Sequence, residues 1–183
     1  MDKLKSKFSL KVKIPENESK KFPLSSVNSN NNEINHIIDN IYISGYRFSI
    51  DYLFLMKNNF THIINCAGGS KSFTSLHFNE FKYYKINLRD DGDVNIIDAI
   101  IQFNKLLKNI NSSEGPKKIL IHCTEGISRA PTLVCSYLMW KYGMDSKTAI
   151  NFVKEKRKCI DINLGFIFQL ENLNIHRELL KMI

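Results

Sequence analysis

The run Lys118-Ile119-Leu120-Ile121-His122, followed at once by Cys123-Thr124-Glu125-Gly126-Ile127-Ser128-Arg129, constrains the fold more than any other part of the chain. Its apolar stretch is short and unbroken on both faces, the mark of a strand buried inside a parallel sheet. Helical patterns follow near residues 128–142, 146–157 and 164–180. Upstream, strand-like segments at 41–44, 61–66 and 83–88 alternate with a helical stretch across 49–58 and an amphipathic one carrying Ile96, Ile97, Ile100, Ile101, Phe103, Leu106, Leu107 and Ile110. Such alternation predicts an α/β fold in three layers, a central, mostly parallel sheet of about five strands flanked by helices. Sheets of this kind bind ligands outside the carboxyl ends of their strands, and Cys123 occupies such an end.

Composition narrows the alternatives. A chain of 183 residues, 43% hydrophobic and 24% charged, suits one domain with a sizeable core. No apolar run approaches the roughly 18 residues that span a bilayer; the longest candidate, 131–140, stops at Lys141. The first 30 residues lack a hydrophobic signal core, so an intracellular protein is expected, cytoplasmic with the nucleus also open to it. Four cysteines without a C-x-x-C pair read as free thiols in a reducing compartment. His36, His62, His77, His122 and His176 show no ligand spacing, so neither a metal nor another cofactor is expected. The net charge of +8 is spread without a basic block or a basic–aromatic stripe, which leaves nucleic acid unindicated. Residues 1–35 form a basic, Asn-rich extension: 7–14 alternates polar and apolar residues as a half-buried strand does, Pro15 ends it, and 28–32 reads as a polar linker.

The segment after Ile121 carries the chemistry. A loop curling from a strand end into a helix start turns successive backbone N–H groups inward, where they cradle an anion with help from the helix dipole. A thiol at the base of that nest, Cys123, has its thiolate form stabilised. Arg129 closes the loop with a planar fork of donors suited to phosphate oxygens. His122 is placed to orient the loop by hydrogen-bonding its backbone, and Glu125 to pair with Arg129. Transfer of a phosphoryl group also needs an acid for the leaving oxygen. The turn Arg89-Asp90-Asp91-Gly92-Asp93 offers Asp90, Asp91 and Asp93, and spacing alone does not choose between them.

His122-Cys123-x-x-Gly126-x-Ser128-Arg129 resembles the signature of the dual-specificity protein phosphatases, within the cysteine-dependent protein tyrosine phosphatase superfamily. The likeness continues through Pro131–Met139 and through Asn163, Phe166, Gln169 and Leu170; upstream it includes 40–44 and 61–65, so it covers 36–183 as one catalytic domain. The resemblance implies hydrolysis of phosphotyrosine and phosphoserine/phosphothreonine through a phosphocysteine on Cys123. Arg129 and the amides of Thr124, Glu125, Gly126, Ile127 and Ser128 would bind the phosphoryl group. Asp90, four residues after Ile86, matches the family's general acid and base. Two positions depart from the pattern. Ala130 stands where many members carry a hydroxyl that assists phosphoenzyme hydrolysis, which implies a slower second step, and Ile162 replaces a frequent proline.

A deep aromatic recognition loop has no equivalent, although Phe73, His77 and Phe78 are candidates for one wall, so a shallow cleft is expected. Relatives of this fold also act on phosphoinositides and phosphoglucans, and a slow-turnover phosphate-binding scaffold is the competing class. Lys3, Lys5 and Lys7 ahead of Phe8, Leu10 and Val12 resemble a kinase-docking peptide, which makes residues 3–14 a candidate docking segment for a MAP-kinase-type client. The catalytic unit is expected to be monomeric.

Overall fold

The computed structural model describes residues 33–68 and 79–175. Strands β1 (Asn35–Ile38), β2 (Ile41–Ser44), β3 (His62–Ala67), β4 (Lys82–Leu88) and β5 (Ile119–His122) form one sheet in the order β1-β2-β5-β3-β4. β1 runs antiparallel to β2, and every other neighbouring pair is parallel. The expected mixed architecture, mostly parallel, is what forms.

The unbroken apolar run of β5 is explained by its place between β2 and β3. Alternate side chains leave opposite faces of a strand. Ile119 and Ile121 join Ile41, Ile43 and Ile64 in a core shared with Ile100, Phe103, Leu133, Leu138 and Phe166. Those partners come from α3 (Ile97–Ser112), α4 (Arg129–Tyr142) and α6 (Leu164–Ile175), and Ala149 and Val153 add α5 (Ser146–Lys156). Leu120 and Ile63 face the other way, into a smaller cluster with Ile34, Leu55, Phe60 and Phe81. Two short helices, α1 (Tyr46–Ser49) and α2 (Tyr52–Lys57), flank that second side. One strand with both faces buried thus places Cys123 at the middle of the carboxyl edge.

Three expectations meet a different or fuller structure. The helical stretch expected across 49–58 is the shorter α2, because the Asp51 side chain accepts from Phe54 N at 2.9 Å and starts it there, while α1 ends at Ser49 as a separate turn of helix. β1, unforeseen because Asn35 and His36 are polar, is ordered by pairing with β2 and by a turn in which Asp39 adopts a φ of 47°. Packing also reaches further back than residue 36: Ile34 is buried, and Glu33 and Asn35 both bond to Arg157. The strand-like 7–14, the linker 28–32, the docking segment 3–14, Phe73, His77, Phe78, His176 and the last part of the 164–180 helix lie outside the described residues. Among the described residues no helix is long and apolar enough to cross a membrane.

Candidate active site

The loop from Cys123 to Ser128 links β5 to α4, and its geometry follows from where its carbonyls go. Buried backbone carbonyls need partners. Thr124 O accepts from Tyr46 N at 3.0 Å, Ile127 O from Asp161 N at 3.0 Å, and Ser128 O from Thr132 N at 2.9 Å. Gly126 O and Glu125 O both accept from Arg157, at 2.8 and 3.1 Å. His122 Nδ1 lies 3.2 Å from Cys123 O. Every carbonyl from 123 to 128 is therefore engaged behind or beside the loop. Gly126 makes the curl possible: its φ is +70°, and a Cβ there would sit 2.4 Å from Ser44 O, so only glycine fits against the end of β2. Its N–H points the other way and donates to Cys123 Sγ at 3.2 Å.

Cys123 is 1% exposed at the floor of a cleft of about 470 Å³ that Asp90, Thr124, Ile127, Arg129 and Leu164 help to line. Arg129 donates from Nη2 to Thr124 Oγ1 at 2.7 Å, and its Nε lies 3.4 Å from Asp90 Oδ2. The expected pairing of Arg129 with Glu125 is not what forms: the guanidinium turns to Thr124 and Asp90, the Glu125 side chain is exposed, and the Glu125 backbone carbonyl goes to Arg157. At the start of α4, the Ser128 side chain makes no cap to the helix amides. It donates instead to Asp90 Oδ1 at 2.7 Å.

Of the three acids left open by spacing, Asp90 alone lines the cleft; Asp91 turns its Oδ1 to Asp93 N at 3.2 Å. The acidic turn is held by α6. Gly165 and Gly92 approach so closely that a Cβ on Gly165 would lie 2.2 Å from Gly92 O. Gln169 donates to Val94 O at 2.9 Å and accepts from Ile96 N at 3.0 Å. Asn163 accepts from Phe166 N at 2.9 Å, capping α6, and donates from Nδ2 to Asp90 Oδ1 at 2.8 Å. Asn163 and Gln169 were legible as matching positions, but their hold on the acid turn needed the fold. Arg157 was missed outright. It stands beside Lys156 and Lys158 and reads as one more surface cation, yet it is 1% exposed.

The remaining titratable groups separate cleanly. Burial pushes the Cys135 thiol up, and burial with some repulsion from Cys123 pushes Cys66 up, so both stay protonated and inert. Burial draws the His122 imidazole down to about 4, outweighing the contact with Cys123 O, so the ring is neutral and donates Nδ1–H to that carbonyl. Among the described residues, no three His, Cys, Asp or Glu side chains come together as a metal site.

A thiol beneath inward-turned amides, closed by an arginine and faced by a carboxylate, is the layout of a site for a tetrahedral phosphoryl group. The sequence matches the family "Dual specificity phosphatase, catalytic domain" over residues 41–175. The chain belongs to that family. It is 32% identical over 140 residues to Protein-tyrosine-phosphatase MKP1 of Arabidopsis thaliana, covering 75% of this chain and 17% of the relative. It is likewise 32% identical over 137 residues to MAP kinase phosphatase with leucine-rich repeats protein 1 of Dictyostelium discoideum, covering 74% of this chain and 15% of that one. The chain thus spans only a small part of these relatives' lengths. The crystal structure of the human tyrosine phosphatase-like serine/threonine/tyrosine-interacting protein superposes with a TM-score of 0.69 at 25% identity, over 80% of this chain and 99% of that one.

A buried neutral His122 has a thermodynamic signature. Between pH 6.5 and 4 the unfolded chain binds a proton that the folded one refuses, so stability rises with pH across that window. The expected loss on acidification through it is about 3 kcal/mol from His122. His62, also drawn down chiefly by burial, adds to it with the same sign. Urea unfolding at pH 4 to 7 measures this, and His122→Asn should flatten the slope. A slope unchanged by His122→Asn means the ring is not held neutral.

Proposed function

We propose that this chain is a phosphoprotein phosphatase that hydrolyses phosphotyrosine and phosphoserine/phosphothreonine through a phosphocysteine on Cys123. The observation that carries this reading is the convergence on one cleft of the Cys123 sulfur, the Gly126 amide on it, Arg129 and Asp90. In the first step the Cys123 thiolate attacks phosphorus, the bond from phosphorus to the substrate oxygen breaks, and Asp90 gives that oxygen its proton. In the second, Asp90 takes a proton from the attacking water, the sulfur–phosphorus bond breaks, and inorganic phosphate leaves. Arg129 and the amides of 124–129 hold the equatorial oxygens through both steps. Ser128 and Asn163 both engage Asp90 Oδ1, which leaves Oδ2, the oxygen beside Arg129, for the leaving group.

The test is hydrolysis of an aryl phosphate and of phosphotyrosine and phosphothreonine peptides. Cys123→Ser should abolish all three activities. Asp90→Asn should cost about 10²- to 10³-fold on phosphothreonine, whose alkoxide needs the acid, and far less on an activated aryl ester. A wild-type protein no faster than Cys123→Ser on any ester sinks the enzyme reading and favours a phosphate-binding module. Activity confined to phosphoinositides or phosphoglucans would reassign the substrate; the loop 123–128 contains no lysine to favour an inositol phosphate.

The second step is the slower one in this reading. Ala130 is buried and brings no hydroxyl near the sulfur, for which the Gly126 amide is the donor in place. Rapid-quench kinetics should show a burst of about one equivalent of phosphoenzyme, and Ala130→Ser should shrink the burst while raising turnover several-fold. No burst, together with unchanged turnover in Ala130→Ser, removes the idea.

A MAP-kinase-type client docking on residues 3–14 belongs to the same reading, as do a monomeric state and a cytoplasmic setting. The relatives named MAP kinase phosphatases support the client, and four unpaired cysteines support a reducing compartment. Deletion of residues 1–30, which spares the Glu33 and Asn35 contacts, should abolish kinase capture in pull-downs while leaving aryl phosphate turnover intact. Capture undiminished by the deletion rejects the docking segment.

A further inference from the structure

We propose that Arg157 is the positioning residue of the phosphate-binding loop, turning its peptide planes from behind and tying them to the segment ahead of β1. This deepens the phosphatase reading and rests on it for its consequences in turnover.

Arg157 leaves the end of α5 with its own N–H still bonded to Val153 O at 2.8 Å, and its side chain runs beneath the loop. Nε donates to Gly126 O at 2.8 Å and Nη2 to Glu125 O at 3.1 Å. Nη1 donates to Glu33 O at 2.8 Å and to Asn35 Oδ1 at 2.6 Å. One rigid guanidinium therefore grips two successive loop carbonyls. In a trans peptide the C=O and the following N–H point in opposite directions within one plane. Fixing Glu125 O outward aims the Gly126 N–H at Cys123 Sγ, where it lies at 3.2 Å. Fixing Gly126 O outward turns the Ile127 N–H to the opposite side of its plane, away from Arg157. Two successive loop amides, one of them on the Cys123 sulfur, are thus set by a side chain that does not line the cleft.

Charge points the same way. Among the described residues no carboxylate lies within ion-pair distance of Arg157, whose four hydrogen bonds all go to neutral acceptors. Isolating a cation in the interior is costly, and an apolar side chain would fill the space without that cost. Burial lowers the guanidinium from its ordinary range, while attraction to Cys159, Cys123, Glu33 and Glu125 opposes the fall. An arginine keeps its proton under such a shift. Its charge therefore also acts on Cys123, in addition to that of Arg129. The contacts at Glu33 and Asn35 add a mechanical link: whatever pulls on the chain ahead of β1 pulls on the floor of the cleft.

The test uses the full chain and two readouts that do not need turnover: the pH dependence of Cys123 alkylation by iodoacetamide, followed on the Cys123 peptide by mass, and tungstate binding. Arg157→Met, which removes fork and charge, should move the alkylation midpoint up by at least about one pH unit. It should also weaken tungstate by about tenfold or more. Arg157→Lys keeps the charge and loses the fork, so the midpoint should stay near wild type while tungstate weakens by roughly threefold or more. A merely structural residue would lower the urea midpoint in both variants and leave both readouts of the folded protein unmoved, and that result overturns the proposal. If Arg157→Met does not fold, Arg157→Lys with wild-type tungstate affinity overturns it equally. A wild-type protein that binds tungstate and hydrolyses no ester would defeat the phosphatase reading and leave this one standing.

Discussion

The orientation of the peptide planes between Cys123 and Arg129 is the constraint on which the rest of the site depends. A loop can present N–H groups to an anion only if its carbonyls are satisfied elsewhere, and each of these is. Their partners come from α1, α4, the end of α5, the residues before α6 and His122 itself. No local motif of six residues supplies that; a whole domain does. The steric need for Gly126 against Ser44 and the burial of His122 are two faces of the same requirement, since both press the loop onto the carboxyl edge of β2 and β5.

The acid side is built by a second long-range closure. Asp90 follows β4 at one edge of the sheet, while α6 comes from the far end of the chain. The Gly92–Gly165 approach removes the side chains that would hold the two apart, and Gln169 and Asn163 then bond across the seam. Ser128 joins this seam to the loop through the same Asp90 oxygen. Cys123, Arg129 and Asp90 thus belong to one bonded unit. Neighbours in such a unit do not act additively when mutated.

Legibility in the sequence followed the range of the forces involved. The β5 run and the loop after it were readable because strand burial, the anion nest and the arginine clamp are set within a dozen residues. Asp90 could be chosen from its neighbours only by family resemblance, because what separates it from Asp91 is docking on α6. β1 escaped notice because Asn35 and His36 carry no apolar pattern and pairing alone orders them. Arg157 was hidden more thoroughly: flanked by Lys156 and Lys158, it has the local chemistry of solvent, and only the path of the chain out of α5 sends it inward.

The balance of charge in the cleft shows why that hidden residue matters. Among the described residues that line the cleft, the acids Asp90, Glu125 and Asp161 stand against one cation, Arg129. A phosphate dianion entering such a cleft meets more acid than base. The net charge of +8 lies elsewhere on the chain, and at physiological ionic strength charges more than about 8 Å away are largely screened at the surface. Side-chain charge therefore steers the substrate only weakly once it is near. Besides Arg129, the local attraction comes from fixed dipoles, the loop amides and the start of α4, which act at contact range. Dipoles differ from charges in that a rotation of a peptide plane reverses their sign toward the ligand. A site that relies on them needs its planes locked, and a buried guanidinium gripping two successive carbonyls locks them while adding positive charge behind the loop.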